Sequence, residues 1–162
     1  LFVRDNAVNK YDMLRWAWRH GDDTALGEFA DPVYGAASYA LCVYDASGNP
    51  QPLTAAAVSP GGTCGARPCW RQTTIGSGGY VYSNLAGTPQ GVRGITLKAG
   101  VGGAASVSVS AMGCNLQTPS PTLTLPVTAQ LQVRNGATTT CWEAQYSTAR
   151  LNRTGLFSAA GP

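Results

Sequence analysis

Apolar and polar residues alternate along much of this chain, and the period is two. In 127–134 (VTAQLQVR), Val127, Ala129, Leu131 and Val133 fall on one side of an extended backbone. Thr128, Gln130, Gln132 and Arg134 fall on the other. In 105–111 (ASVSVSA), Val107 and Val109 oppose Ser106, Ser108 and Ser110. Alternation of this kind belongs to sheets with one dry and one wet face. Runs of the same type predict strands over 1–4, 12–19, 38–45, 51–57, 79–83, 92–98, 104–111, 126–134 and 139–147.

The segments between these runs are turn-forming. DASGNPQ (45–51), KAGVGGAA (98–105) and VRNGATTT (133–140) separate pairs of strands, and Asn135-Gly136 suits a type I′ turn. Helix signals are confined to 22–29 (DDTALGEF), where one short helical turn is expected with Glu28 in capping reach. The segment 112–125 holds two prolines and is expected to cross between sheets or to form an edge strand. About nine strands at short spacing predict one all-β domain over 1–162, an antiparallel β-sandwich, with a barrel as the second choice of closure.

Composition then narrows the setting. Charged residues are 12% of the chain, about half the usual share, while hydrophobic residues are an ordinary 44%. A surface of hydroxyls and amides with 20 glycines suits a secreted β protein. The chain opens at Leu1 without an initiator Met, as a mature secreted protein or an excised domain would. The net charge is +3, and the basic residues are scattered along the sequence, so a nucleic-acid partner is not expected. No run of eighteen apolar residues is present, and no membrane span is expected.

The candidate chemistry rests on five cysteines, Cys42, Cys64, Cys69, Cys114 and Cys141. A zinc site at Cys64 and Cys69 lacks two further ligands, and the C-x4-C spacing is not a redox CxxC motif. A local disulfide Cys64–Cys69 is therefore expected, closing a six-residue loop worth about 2 kcal/mol and shaping the chain before Trp70. A second bridge, Cys42–Cys141, is expected between two strands with aromatic neighbours, worth up to ~4.7 kcal/mol on loop length. Cys114 is left unpaired; burial is expected for it, with pairing between molecules as the alternative.

Catalysis has little to build on. A nucleophile needs a base, and His20 is the only histidine. Glu28 and Glu143 are the only glutamates, and the paired Asp22-Asp23 reads as turn chemistry rather than a glycosidase pair. No enzyme activity, metal or cofactor is expected. Trp16, Trp18, Trp70 and Trp142 with the tyrosines are candidates for a sugar-stacking platform, although core filling is expected for most of them.

The ordered set LRWAWRHG, YALCVYD, GGTCGARPCW, GVRGITLKAG, LPVTAQLQV and CWEAQYS resembles a recurring β-rich module of secreted bacterial proteins. The TC-x4-CW and CWEA signatures carry most of the likeness. The resemblance implies an extracellular module, often appended to or repeated in larger proteins, and carries over no catalytic or ligand residues. This chain departs from that module in being Arg-rich rather than Lys-rich and in having Cys114 at a position expected to be small and apolar. The expected function is that of a non-enzymatic extracellular structural or interaction protein. It would self-assemble into a homo-oligomer or polymer by strand addition, with Leu1, Phe2, Val3, Leu156 and Phe157 of the apolar ends as interaction residues. The alternative is a carbohydrate-binding module with a glycan partner.

Overall fold

The structure, a computed structural model, describes residues 1–161. Its fourteen strands are all antiparallel to their neighbours. In chain order they are β1 (Phe2–Arg4), β2 (Met13–Arg19), β3 (Ser38–Tyr44), β4 (Thr54–Val58), β5 (Thr63–Cys64), β6 (Arg67–Pro68) and β7 (Trp70–Thr73). There follow β8 (Gly79–Ser83), β9 (Val92–Lys98), β10 (Ser106–Met112), β11 (Val127–Asn135), β12 (Thr138–Tyr146), β13 (Leu151–Arg153) and β14 (Leu156–Ser158). One open sheet has eight strands in the order β13-β14-β1-β2-β10-β9-β8-β7, and a second has four, β12-β11-β3-β4. Strands β5 and β6 form a separate hairpin.

The inner faces of the two sheets are built by the predicted period. Leu14 and Trp16 of β2, Val107 and Val109 of β10 and Ile95 and Leu97 of β9 are buried on one side. Tyr39, Leu41 and Val43 of β3 and Val127, Ala129, Leu131 and Val133 of β11 are buried on the other. Polar groups carried into this layer are partnered: the Trp16 indole N–H donates to the Tyr146 hydroxyl at 3.1 Å, and the Tyr39 hydroxyl donates to the Phe29 carbonyl at 2.6 Å.

All nine predicted strands form. The five additional ones are two to four residues long, too short for alternation to show. The helical turn is a 3-10 segment, Leu26–Phe29, with Glu28 accepting from the Ala25 N–H at 2.7 Å. The segment between β10 and β11 does cross from the larger sheet to the smaller. Asn152 holds it, accepting from the Leu123 N–H at 2.9 Å and donating to the Leu123 carbonyl at 2.7 Å. The β11–β12 turn differs from the expectation. Asn135 pairs with Thr138, so the two loop residues are Gly136 and Ala137, and only Gly136 has positive φ. This is the II′ pattern rather than I′.

Three expectations about particular residues are corrected. Cys42 and Cys141 are not bonded: both are free thiols, on β3 and β12, with β11 between them. Two strand spacings separate them by ~10 Å, beyond the ~7 Å reach of a disulfide. Cys114 is exposed, not buried. It sits at the tip of a turn closed by the Leu116 N–H on the Gly113 carbonyl at 2.9 Å, and Leu116 takes the inward position instead. The apolar ends are not free arms. Val3 pairs with Phe157 and Phe2 with Ser158, β1 is held on its other side by β2, and Leu1, Val3 and Phe157 belong to the core. Phe2 and Leu156 are half-buried on the outer face of the same sheet.

Candidate functional site

The cysteine loop that stands out in the sequence is a structural clasp. Cys64 and Cys69 are bonded, and Thr63–Cys64 pairs with Arg67–Pro68 inside the closed loop. The clasp leads directly into Trp70, which is 1% exposed and donates from its indole N–H to the Ser59 carbonyl at 2.9 Å. Its ring lies between Tyr39 and Tyr82, with centroids 4.7 and 5.1 Å away. Arg67, at the tip, is exposed.

The outward face of the larger sheet concentrates the charge that is dispersed in the sequence. Its eight strands contain seven of the eleven basic residues, Arg4, Arg15, Arg19, Arg71, Arg93, Lys98 and Arg153, and none of the eight acidic ones. Pairing register arranges six of these in rows. Arg15, Ser110, Gly94 and Ser83 form one row; Ala17, Ser108, Thr96, Val81 and Arg71 form the next; Arg19, Ser106 and Lys98 form a third. On the other side of the first row stand Arg153, Leu156, Arg4, Met13 and Met112. The Arg4 guanidinium lies 5.6 Å from the centre of the Phe2 ring, on the same face.

Short side chains in the middle of this face and long ones around them leave it hollowed. One depression of about 490 Å³ lies over Arg15, Ala17, Gly94, Thr96, Ser108 and Ser110. A second, of about 410 Å³, lies over Arg19, Lys98 and Ser106 and meets the first at Ser108. A third, of about 520 Å³, lies where the clasp overhangs Arg71, Val81 and Ser83, with Arg67 and Leu85 on its walls. None of the three has an acidic residue in its lining.

All eight acidic residues lie off the larger sheet, Glu143 on β12 of the smaller one, and several serve as loop ties. Asp12 accepts from the Asn6 N–H at 2.7 Å, Asp23 from the Gly102 N–H at 2.6 Å, and Asp31 from the Val33 and Tyr34 N–H groups. Asp45 accepts from Ser47 and Thr124; partial burial works against its charge, but these hydrogen bonds hold its carboxyl below the ordinary value. Carboxylates at turns cap backbone N–H groups, while guanidiniums project from strand faces. That division of labour leaves one sheet face basic in a chain of modest net charge.

The outer face of the smaller sheet is different. The Gln132 amide donates to the Tyr44 hydroxyl at 3.1 Å and to the Gln130 carbonyl oxygen at 3.0 Å, and the Gln130 amide donates to Glu143. These polar groups satisfy one another. Cys42 lies buried on the same strand; burial pushes its thiol up, opposed by a hydrogen bond with Tyr44.

The other candidate groups do not assemble. Among the described residues no three His, Cys, Asp or Glu side chains come together as a metal-binding set. His20 lines the rim of the second depression, beside Arg19 and Lys98. Trp16, Trp70 and Trp142 are buried and Trp18 is half-buried, so the tryptophans form no outward stacking row. No helix among the described residues is long and apolar enough to cross a membrane. Compared with known proteins, the chain matches no family model, no curated protein and no solved structure.

Proposed function

We propose that this chain is a secreted, non-catalytic interaction domain whose contact surface is the outward face of its eight-stranded sheet. One observation carries the reading: seven basic and no acidic residues occupy the strands of that sheet, in a chain whose net charge is only +3. Self-repulsion among like charges on one face costs stability, and a partner that neutralises them recovers it. The disulfide clasp and the low overall charge support an extracellular setting. Strand addition through the termini has less support than contact through the face, because β1 and β14 are interior strands of the sheet.

The two lysines provide the test. Lys98 stands on the basic face and Lys10 lies outside the sheet, and both side chains are exposed. Acylating intact producing cells with a membrane-impermeant amine reagent is expected to modify Lys98 several-fold more slowly than in the free protein, with Lys10 unchanged. Equal modification of both lysines at the free-protein rates would refute engagement of the face. Labelling of neither until the cells are lysed would refute the extracellular setting.

A further inference from the structure

We infer that the partner of this face is a linear acidic polysaccharide, a sugar chain carrying carboxylate or sulfate groups. The inference rests on the reading of the larger sheet's face as the contact surface. The first two depressions meet at Ser108 and continue toward the clasp through Thr96, Val81 and Arg71, which share one row of the sheet. The result is an elongated trough crossing several strands, not an enclosed pocket. Its length suits a chain-like ligand lying flat.

Charge and floor chemistry then select the class. The basic groups line the sides, where salt bridges to an anionic polymer form without burying charge. Arg19 and Lys98 face each other two strands apart, ~10 Å, so the cations are spaced rather than clustered. The floor is made of Ser106, Ser108, Ser110 and Thr96, hydroxyls that both donate and accept and so match the hydroxyls of a sugar. Among the described residues, Ser110 alone of these has a side-chain hydrogen-bond partner, a long 3.4 Å contact with the Gly94 carbonyl.

The same features disfavour other polyanions. Single-stranded nucleic acid is held by stacking on exposed aromatic rings, and the one ring on this face, Phe2, is half-buried and lies beside Arg4. Duplex DNA presents about one charge per 1.7 Å, far denser than this spaced set, and a flat sheet face does not enter its grooves. An anionic membrane calls for exposed apolar anchors beside the charges; the large apolar side chains lining the first two depressions are buried or half-buried, and Leu85, at the clasp end, is the exposed one.

Polygalacturonate and its fully methyl-esterified form share one backbone and differ in charge, so the pair is a suitable probe. Binding of the free protein to polygalacturonate is expected at low ionic strength and should weaken steadily as salt is added. The esterified chain is expected not to bind. The triple variant Arg15→Gln, Arg19→Gln, Lys98→Gln should lose about tenfold or more in affinity, on the order of what three surface ion pairs supply. A control variant, Lys10→Gln with Arg134→Gln, should stay within about twofold, and thermal melts of both variants should match the parent.

Equal binding of the esterified polymer would overturn the requirement for anionic groups while leaving the sheet face as the contact. Tighter binding to duplex DNA or to phosphatidylglycerol vesicles than to polygalacturonate would overturn the choice of partner class. No binding to any acidic polysaccharide tried, with dextran sulfate included for the sulfate case, would overturn the inference altogether. Lys98 protection on cells is read independently, so the broader reading stands or falls separately.

Discussion

Removing one oxygen atom from Tyr146 tests how the two sheets are joined. Tyr146 and Trp16 are each 2% exposed and meet across the sandwich, where the indole N–H donates to the phenol oxygen at 3.1 Å. Tyr146→Phe keeps the ring but strands that N–H where no water reaches it. A buried donor left without a partner costs about 1–3 kcal/mol. For a domain of this size, 2 kcal/mol corresponds to a drop in Tm of about 4–8 °C. Trp16→Phe removes the donor and some packing. In the double variant the indole N–H is gone and the Leu1 ammonium, which also reaches the Tyr146 hydroxyl at 3.4 Å, keeps its 2.9 Å bond to the Ala159 carbonyl, so the loss should fall short of the sum of the singles by about 1 kcal/mol. Denaturant unfolding followed at equilibrium gives all four corners of the cycle. Tyr44→Phe, on the solvent side of the smaller sheet, should cost no more than about 0.5 kcal/mol. Additivity of the two core substitutions within about 0.3 kcal/mol would refute the cross-sheet hydrogen bond.

Thiol titration of the native protein should count two fast groups, Cys114 and Cys141, with Cys42 reacting only on unfolding; a Cys42–Cys141 bridge would leave one. Gly79→Ala should cost about 3 kcal/mol or more by denaturant unfolding, since the added carbon would lie 2.0 Å from the Leu97 carbonyl oxygen of the paired strand. Gly27→Ala, with open space around it, should stay within about 0.5 kcal/mol. Burial pushes the Tyr39 and Tyr146 hydroxyls above their ordinary value of 10.0, and nearby Tyr80 and Asp31 add to the effect at Tyr39. The unfolded chain therefore ionises first. Their stabilising effect is complete below pH 10 and is lost as pH rises toward the folded-state values, so the melting temperature should fall steeply above about pH 10.

Much of this fold is legible in the sequence because a half-buried antiparallel strand states its own geometry. Val107 and Val109 against Ser106, Ser108 and Ser110 say which way each side chain points, and β10 follows that pattern. The clasp is equally legible, since the spacing of Cys64 and Cys69 leaves no other ordinary chemistry. Pairing is not legible in the same way. Cys42 and Cys141 sit in strands as expected, but nothing local says that β11 lies between them. The pairing of the termini is hidden for a related reason: LFVR reads as a strand and GLFS only as an apolar end, and nothing local says that the two pair with each other.

The basic face is hidden for the same reason. Arg15 and Arg19 visibly oppose Trp16 and Trp18, so their outward direction can be read from β2 alone. Their alignment with Lys98 and Arg71 depends on β2, β10, β9, β8 and β7 lying side by side, which is long-range information. The acidic half of the pattern is partly local. Asp31 and Asp45 each accept from an N–H two residues ahead, a turn signature, which removes them from the inventory of free surface charge. Counting acids at turns and bases in strands separately, rather than summing net charge, is the signal that points to this surface.

The most direct test of the binding surface is a map of backbone amide shifts during titration with polygalacturonate. A binding trough on the larger sheet requires the changes to concentrate at Arg15, Ala17, Thr96 and Ser108, on adjacent strands. Changes centred instead on Gln130, Gln132 and Cys141 of the smaller sheet would contradict it.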